Sequence, residues 1–444
     1  MRVLVCGATG FIGRPLTRAL LERGHGVVGA ARRPQRIASS GGRSSEAMAA
    51  DFTRDVSMAA WLPRLAGIDA VVNAVGILRE SRGLHGPPGA HGQRFEELHV
   101  RAPMALFDAC LAAGVRRVVQ LSALGADEEA ASAYHRSKRR ADLHLLSLPL
   151  PLTASVVQPS LVYGPGGASA ALFETLASLP LLPLPSGGLQ RIQPLHLDDL
   201  VEGLCVLVED PTAAPPGRIA FVGPQALALS EYLAVLREGM QLPPARVLPV
   251  PRPLAQATAA IAGWLPGVPL DREALQMLER GNTGAAEPLA RLLGRAARAP
   301  SSFIDEAHAG HVRHSTRLRW ALPPLRWAIA AVWIVTGVLS FGVYPVEDSR
   351  ALLARLGIEG ALATLMLYGA AALDLLLGLA TLVLKRRAAL WWAQIGLMLG
   401  YTALITWRLP EFWLHPFGPI LKNLPLLAAI GVLLALEERP PRNT

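Results

Sequence analysis

Short apolar runs alternate with segments of helical spacing along the first half of the chain. The runs cover residues 2–6, 26–31, 48–51, 69–76 and 115–123. Val-rich runs of this length are typical of strands that are buried on both faces of a parallel sheet. Between the first two runs, Leu16, Leu20 and Leu21 recur at helical spacing. The alternation predicts an α/β fold, a doubly wound parallel sheet whose ligand crevice lies at the carboxyl ends of the strands.

The last third of the chain is dominated by four apolar stretches, which cover residues 325–344, 361–384, 388–407 and 419–436. Each is close to the roughly 20 residues that a helix needs to cross a bilayer. The composition agrees with a soluble part followed by a membrane part, since the mean hydropathy is +0.33 and 17% of residues are charged. We therefore predict an all-α, four-helix transmembrane bundle at the end of the chain.

Basic residues flank these stretches unevenly. Four arginines precede the first stretch and Lys385, Arg386 and Arg387 separate the second from the third, whereas the other two loops carry fewer basic residues. Loops rich in Lys and Arg stay on the cytoplasmic side. The prediction is a multi-pass protein of the bacterial cytoplasmic (inner) membrane with both termini in the cytoplasm. Gly7 interrupts the first apolar run too early for a signal peptide, which also favours a cytoplasmic first domain.

A glycine-rich turn follows the first predicted strand. Gly7, Gly10 and Gly13 are spaced three apart and lead into a predicted helix. Glycines in such a turn let the backbone approach a pyrophosphate, while the helix N-terminus faces its negative charge. A structural turn without a ligand is the alternative. The position between a strand and a helix favours binding of a nucleotide.

Two arginines, Arg32 and Arg33, follow the second predicted strand where NAD-binding folds place an acidic residue. Arginine at this position suits the 2′-phosphate of NADP, so we expect NADP rather than NAD. A solvated arginine without a ligand is the alternative interpretation.

Tyr134 and Lys138 lie four residues apart on a predicted helix after the fifth strand, and therefore share one face. A tyrosine needs a nearby cation to exchange its proton near neutral pH, and a lysine can also donate to a nicotinamide ribose. Ser122, at the end of the fifth strand, would hold a substrate carbonyl or hydroxyl. Chance occurrence of this spacing on an amphipathic helix is the alternative. The predicted catalytic set is Ser122, Tyr134 and Lys138.

Composition and motifs disfavour several other classes. The net charge is +9, yet the arginines are scattered, so no nucleic-acid partner is expected. Cys6, Cys110 and Cys205 form no CxxC pair and are expected to be buried and reduced, so no metal site is predicted. A hydrolase is disfavoured because Ser122 lacks the flanking glycines of a nucleophile elbow.

Together these motifs resemble the short-chain dehydrogenase/reductase superfamily in its extended or atypical branch. The matching segments are GATGFIG from Gly7, NAVG from Asn73, YHRSK from Tyr134, QPSLVYGPGG from Gln158 and QPLHLDDL from Gln193. The resemblance extends to NAD(P)-binding proteins similar to the Rossmann-type accessory subunit of respiratory complex I. It implies a Rossmann domain with a nicotinamide nucleotide as partner, bound by Gly7, Thr9, Gly10, Phe11, Ile12, Gly13, Arg32, Arg33, Asp51, Asn73, Ala74, Gly76, Lys138 and Pro159.

Three positions depart from this pattern or allow two interpretations. His99 stands where relatives often have asparagine, and Gln158 stands where many have arginine. Within the QPLHLDDL segment, His196 would face the substrate, or Asp198 would cap a helix. We favour the Asp198 cap.

The apolar end of the chain, with HPFGPILKNLPLL from His415, looks like a DoxX-like four-helix membrane domain. Asp374 lies near the middle of the second stretch. An intramembrane carboxylate is a candidate for a functional site, and a protonated packing residue is the equal alternative.

These inferences give a four-part plan and a function. The parts are a Rossmann domain at 1–230, a substrate lobe and linker at 231–300, a juxtamembrane linker at 301–324, and the membrane domain at 325–444. We expect an NAD(P)-dependent oxidoreductase anchored to the lipid bilayer. Its substrate would be an apolar or membrane-borne carbonyl, hydroxyl or quinone. A non-catalytic NADPH-binding assembly or sensor subunit is the alternative.

Overall fold

The computed structural model describes residues 1–34, 45–80, 93–210, 212–262, 272–416 and 418–437. It divides into two compact units, residues 1–316 and residues 317–444.

The first unit is built on a seven-stranded parallel sheet. Its order is β11-β6-β5-β4-β1-β2-β3, so the sheet extends in both directions from β1. Short two-stranded pairs, β10 with β7, β12 with β9 and β13 with β8, lie outside it. The strands are β1 Arg2–Cys6, β2 Gly26–Ala31, β3 Glu46–Ala49, β4 Ala70–Asn73, β5 Arg117–Leu121, β6 Thr153–Pro159, β7 Val162–Tyr163, β8 Leu181–Pro185, β9 Arg191–Ile192, β10 Leu195–His196, β11 Gly217–Phe221, β12 Leu227–Ala228 and β13 Arg246–Val250.

Helices pack on both faces of this sheet, and further helices build a smaller lobe and the second unit. In chain order, the α-helices of the described residues are α1 Gly13–Glu22, α2 Met58–Trp61, α3 Ala102–Ala112, α4 Ala133–Ser147, α5 Ala168–Ser178, α6 Leu197–Glu209, α7 Leu229–Gly239, α8 Arg252–Ala262, α9 Arg272–Arg280, α10 Glu287–Leu293, α11 Glu306–Val338, α12 Val346–Arg355, α13 Gly360–Val383, α14 Ala388–Arg408 and α15 Asn423–Ala435. Alternate residues of β1 face opposite cores: Val3 and Val5 pack with α1 and α6, whereas Leu4 and Cys6 pack with α3 and α4. This two-faced burial explains why the strands are almost wholly apolar.

The predicted doubly wound sheet is confirmed, and its register positions the site. Strand β2 has the predicted bounds, whereas β4 and β5 are shorter than the apolar runs that predicted them. Asn73 at the end of β4 pairs with Gln120 near the end of β5. The residues that follow these two strands therefore lie side by side at one edge of the sheet.

A smaller lobe follows the sheet. Its core contains Tyr163, Leu184, Tyr232 and Phe303, which come from β7, β8, α7 and the segment before α11. The three cysteines of the chain are buried in the first unit without disulfide partners, as expected.

The second unit is helical. Among its described residues, three helices are long and apolar enough to cross a membrane, at Glu306–Val343, Gly360–Val383 and Ala388–Arg408. The fourth predicted stretch forms the shorter helix α15, because residues 419–422 before it adopt turns instead of helix. A helix that was not predicted, α12, lies between the first and second long helices.

Helices α11 and α13 approach each other closely through glycines. A Cβ atom on Gly378 would lie 2.5 Å from a side-chain carbon of Ile334, and one on Gly337 would lie 2.8 Å from the carbonyl oxygen of Ala371. Small residues at such positions are typical of close helix packing in membrane proteins.

Candidate active site

The glycine turn has the geometry of a nucleotide cradle. Gly7 has a φ of +81°, which favours glycine, and its carbonyl oxygen accepts a hydrogen bond of 2.8 Å from the Gly10 N–H. A Cβ on Gly13 would overlap that same carbonyl. No side-chain hydrogen bond caps the start of α1 in the described structure, and the Arg14 N–H donates to the Gly10 carbonyl at 3.1 Å. The backbone of the turn therefore packs closely around glycines, as a turn that approaches a pyrophosphate requires; the role of these residues in binding stays a prediction.

One other predicted nucleotide-binding segment, QPSLVYGPGG from Gln158, meets this turn. Phe11 packs against the loop that follows β7, since a Cβ on Gly167 would come within 2.8 Å of its ring. Pro159 ends β6, and its carbonyl accepts from the Leu124 N–H at 3.0 Å. Thr9 and Ile12 are half-buried beside the turn. The residues of the GATGFIG and QPSLVYGPGG segments thus lie together.

The predicted ribose and phosphate contacts lie at the ends of β2 and β3. Arg32 and Arg33 are exposed directly after β2. Asp51 follows β3, and its Oδ1 accepts from the N–H of Thr53 at 3.0 Å and from its hydroxyl at 2.8 Å. Asp51 therefore forms a local turn at the position where the resemblance places a nucleotide contact.

Lys138 is held between two strand ends. Its Nζ donates to the carbonyl oxygens of Val75 and Leu121, both at 3.1 Å, and its side chain is buried. Gly76 lies against the ammonium, because a Cβ there would be 3.0 Å from Nζ. The NAVG segment is fixed in turn by Asn73, whose Nδ2 donates to Gln120 Oε1 at 2.8 Å. Ala74, Gly76 and Lys138 thus lie together at one strand end.

Tyr134 is surrounded by aromatic rings. Its ring centroid lies 6.1 Å from that of Phe95, 5.6 Å from His99 and 5.2 Å from His135. Burial raises the pKa of Tyr134 to about 12, and the negative charge of Asp142 adds to that rise. The tyrosine is therefore protonated at neutral pH, and in this environment it is a weaker acid than a free tyrosine.

Ser122 is engaged differently from the catalytic role that the sequence predicts. Its side chain is buried, and its hydroxyl donates a short hydrogen bond to the Asp142 carboxylate. Asp142 lies four residues after Lys138 on α4 and was not among the predicted site residues. The spacing could have indicated it, because residues four apart share a helix face. Its pairing with a strand end is a tertiary contact that the pattern does not contain.

His99 forms a fixed, uncharged link behind the site. Its Nε2 accepts from the Ile77 N–H at 3.0 Å, and its Nδ1 lies 2.9 Å from the Ser137 hydroxyl. Burial lowers the pKa of His99 to about 2, and the charge of Lys138 adds to this effect. Since Nε2 accepts, the proton lies on Nδ1 and is donated to Ser137, whose hydroxyl donates to the Tyr134 carbonyl at 2.7 Å. His99, at a position where the resemblance implies asparagine, therefore connects Ile77 through Ser137 to the backbone of Tyr134.

Hydrogen bonds fix the roles of His196 and Gln158. The N-cap of α6 is His196, whose Nδ1 accepts from the Asp198 N–H at 3.2 Å. The prediction of Asp198 as the cap is therefore wrong, because Asp198 already lies in the first helical turn. Gln158 is buried, and its Nε2 donates to the Ala126 carbonyl at 3.3 Å.

Helix α9 contacts the start of the Tyr134 helix. Glu273 accepts from the Ala133 N–H at 3.3 Å. Arg280 donates to both carboxylate oxygens of Asp127 at 2.7 Å and to the Gly125 carbonyl at 3.0 Å. The helix therefore stabilises the loop between β5 and α4, which leads into the turn that carries Tyr134.

In the second unit, Asp374 is buried within α13, and its Oδ1 has no hydrogen-bond partner among the described residues. Gln394 is also buried, and its Nε2 donates to Thr381 Oγ1 at 2.8 Å. Within the described ranges, no group of His, Cys, Asp and Glu has the arrangement of a metal site.

Comparison with known proteins divides the chain in the same way. A model of the NAD dependent epimerase/dehydratase family matches residues 3–223, and a model of the DoxX-like family matches residues 330–431. The fold of the first unit recurs in an NADPH-dependent quinone oxidoreductase from Escherichia coli. That structure has 14% identity and a TM-score of 0.52, and the match covers 70% of this chain and 99% of that one.

Curated relatives include reductases and subunits of an NADH dehydrogenase. The 3-diazoavenalumate denitrifying reductase of a Streptomyces species is 31% identical over 60% of this chain and 88% of its own length. The ceramide reductase of Caulobacter vibrioides is 30% identical over 53% of this chain and 66% of its own. Subunit 9 of the NADH dehydrogenase 1 alpha subcomplex of Arabidopsis thaliana is 25% identical over 58% and 62%.

The matches confirm both resemblances drawn from the motifs and support an NAD(P)-dependent, oxidoreductase-type enzyme. The chain belongs to the NAD-dependent epimerase/dehydratase family, and a DoxX-like domain follows its Rossmann domain along the sequence.

Proposed function

We propose that this protein is a membrane-anchored, NADP-dependent reductase that uses Tyr134 as its proton donor. The observation that carries the proposal is the position of Lys138. Its ammonium is fixed by the Val75 and Leu121 carbonyls at the sheet edge, on the helix face that it shares with Tyr134. When bound, NADPH supplies the hydride for reduction of a carbonyl carbon. Tyr134 would give its proton to the carbonyl oxygen, and the charge of Lys138 would stabilise the tyrosinate that remains.

The preference for NADP rests on Arg32 and Arg33. Both are exposed after β2, and no acidic residue stands at that strand end. A guanidinium there would pair with a 2′-phosphate through two parallel hydrogen bonds. The NADPH in the Escherichia coli quinone oxidoreductase agrees with this choice.

For the substrate, we propose a carbonyl compound or quinone with a large apolar part. The apolar helices of the second unit tether the enzyme to a bilayer, where such molecules are concentrated. The ceramide reductase relative, whose name denotes a lipid substrate, agrees with this class. We place the protein in a bacterial cytoplasmic membrane with the N-terminal unit in the cytoplasm, following the excess of basic residues before the first span and between the second and third.

A non-catalytic NADPH-binding subunit is the second candidate, favoured by the similarity to an NADH dehydrogenase subunit. Tyr134→Phe discriminates the two. In a reductase, the substitution keeps NADPH binding but lowers carbonyl or quinone reduction by a factor of about 10² or more. Unchanged function of Tyr134→Phe in cells would favour the subunit.

Titration of the detergent-purified chain with NADPH and NADH, followed by nicotinamide fluorescence, tests the cofactor. We expect tighter binding of NADPH, and a selective loss of that preference in Arg32→Asp. Arg18→Asp is the matched control, because Arg18 is an exposed arginine of the same unit on the outer face of α1. Folded protein that binds neither nucleotide would exclude both candidate functions. Equal binding of the two would exclude the role of Arg32.

A further inference from the structure

Lys138 stands out in a chain that otherwise uses arginine for positive charge. Only three lysines occur among the 43 Lys and Arg residues, at positions 138, 385 and 422. An arginine would not fit at position 138. The compact ammonium fills the space beside Gly76 and between two carbonyls that are each 3.1 Å away. A planar guanidinium has a different shape and a fixed hydrogen-bond geometry.

Asp142 provides a buried negative charge one helical turn from this lysine. Its side chain is fully buried, and its carboxylate accepts from the Ser122 hydroxyl. Leu121 and Ser122 are neighbours at the end of β5. The Leu121 carbonyl holds Lys138, and the Ser122 hydroxyl holds Asp142. One strand end therefore fixes two residues of opposite charge that lie at positions i and i+4 of α4.

The other charged and titratable groups around the pair come from different elements. His99, from the segment before α3, is uncharged and faces Lys138. Tyr134 precedes Lys138 by one turn on α4, and Arg218 of β11 acts on Asp142 through its charge. The amides of Asn73 and Gln120 bond to each other at the same sheet edge. Among these described neighbours, Asp142 is the only carboxylate.

We propose that Asp142 is the positioning residue of this active site. Its carboxylate, oriented by Ser122, keeps the positive charge on Lys138 and keeps the ammonium between the Val75 and Leu121 carbonyls. The catalytic importance of this role depends on the proposed reductase function. In this proposal Ser122 orients Asp142 instead of contacting the substrate.

The direction of the charge effects agrees with this role. Burial lowers the pKa of Lys138 to about 8, and the Asp142 charge opposes that fall. Burial raises the pKa of Asp142 to about 6, while the Ser122 hydrogen bond and the Lys138 charge oppose that rise. Between these values both groups are ionised. Loss of the Asp142 charge would therefore leave Lys138 neutral at a lower pH.

The scarcity of lysine makes the test direct. The full chain is purified in detergent after growth with lysine carrying ¹³C at the ε position, and the three ¹³Cε signals are followed by NMR from pH 5 to pH 11. Lys385→Arg and Lys422→Arg assign the two lysines of the second unit, which then serve as internal references. We expect the Lys138 pKa to fall by roughly one unit or more in Asp142→Asn. Asp142→Glu should retain most of the wild-type value.

Asp108→Asn is the matched control, because Asp108 pairs with His144 on the outer side of α3 and α4. It should leave the Lys138 signal unchanged. A folded Asp142→Asn protein with an unchanged Lys138 titration would overturn the proposal. The readout needs no substrate, so its failure is distinguishable from the absence of reductase activity.

Ser122→Ala gives a second, milder variant in case Asp142→Asn does not fold. Without the hydroxyl, the pKa of Asp142 rises and less negative charge faces Lys138. The Lys138 pKa should therefore shift in the same direction as in Asp142→Asn, but by less. If Ser122 only contacts substrate, the Lys138 signal of Ser122→Ala will match that of the wild type, and the proposal fails.

Discussion

At the scale of single residues, the site depends on groups that are expensive to bury and are kept by a few contacts. Lys138, Asp142 and His99 are all buried, and each is held by a described hydrogen bond to backbone or to a hydroxyl. A buried charge without partners would cost several kcal/mol. The chain therefore has little freedom to exchange any of these residues.

Gly13 allows a sharp test of the cradle. A Cβ on Gly13 would overlap the Gly7 carbonyl, so Gly13→Ala must displace the turn or the start of α1. We expect a loss of about 1–3 kcal/mol in the free energy of unfolding and at least a tenfold weaker binding of NADPH. Denaturant titration and nicotinamide fluorescence measure the two effects.

Gly310→Ala is the control for that experiment. Gly310 lies in α11, and nothing lies within 4 Å of a Cβ built there. This substitution should stabilise the helix by about 0.5–1 kcal/mol and leave NADPH binding unchanged. If Gly13→Ala binds NADPH as well as Gly310→Ala does, the turn is not the pyrophosphate site.

At this scale, the sequence predicts proximity only within an element. Tyr134 and Lys138 are four residues apart, so a helix brings them to one face whatever the rest of the fold does. The Ser122–Asp142 pair depends on how α4 packs against the end of β5, and periodicity carries no information on that register. For the same reason, the imidazole of His196 could not be distinguished from Asp198 as the cap of α6.

At the scale of elements, the strands were predicted better than their ends. Both-face burial makes β1 and β2 continuous apolar runs, and their bounds agree with the predictions. The runs that predicted β4 and β5 continue into the loops, because Val75, Gly76, Ser122 and Ala123 are also small or apolar. Those extra residues belong to the candidate site. The hydrophobic pattern therefore did not locate the ends of β4 and β5, which lie at the site.

Helix α9 makes a prediction at this scale. Arg280→Gln removes the hydrogen bonds from Arg280 Nη2 to both carboxylate oxygens of Asp127. We expect this to destabilise the backbone of residues 125–133, which lead into the Tyr134 helix. Hydrogen exchange of those backbone amides should quicken several-fold while that of β1 and β4 stays unchanged. Arg252→Gln is the control, since it breaks the ion pair of α9 with α8 through Glu279 and leaves the Asp127 contact in place. Equal protection of residues 125–133 in both variants would contradict a stabilising role for α9.

At the scale of the whole molecule, the chain combines a nucleotide-binding unit with an apolar helical unit. The division after Thr316 falls inside helix α11, whereas the sequence predicts a linker at 301–324. Composition locates the change from charged to apolar residues. It does not reveal that α11 begins at Glu306, because the periodicity of that segment is weak.

A chain ending at residue 316 should fold and bind NADPH with a dissociation constant within about twofold of the full-length value. Thr316 is buried, with its hydroxyl 3.8 Å from the Met240 sulfur, so the cut keeps the residues that complete the first unit. The shortened chain should remain in the supernatant when membranes are sedimented, whereas the full chain should sediment and resist a carbonate wash. Sedimentation of both would show that the first unit itself binds the membrane.

The close approach of α11 and α13 has a consequence for biosynthesis. The short helical segment Leu339–Val343, α12 and short turns separate these two helices along the chain, and their glycine contacts are complete once residue 378 has been made. Contacts between segments near in sequence form early, and domains made first tend to fold first. We therefore expect the α11–α13 pair to form before α14 and α15 are complete, so that the later helices assemble onto an existing helix pair.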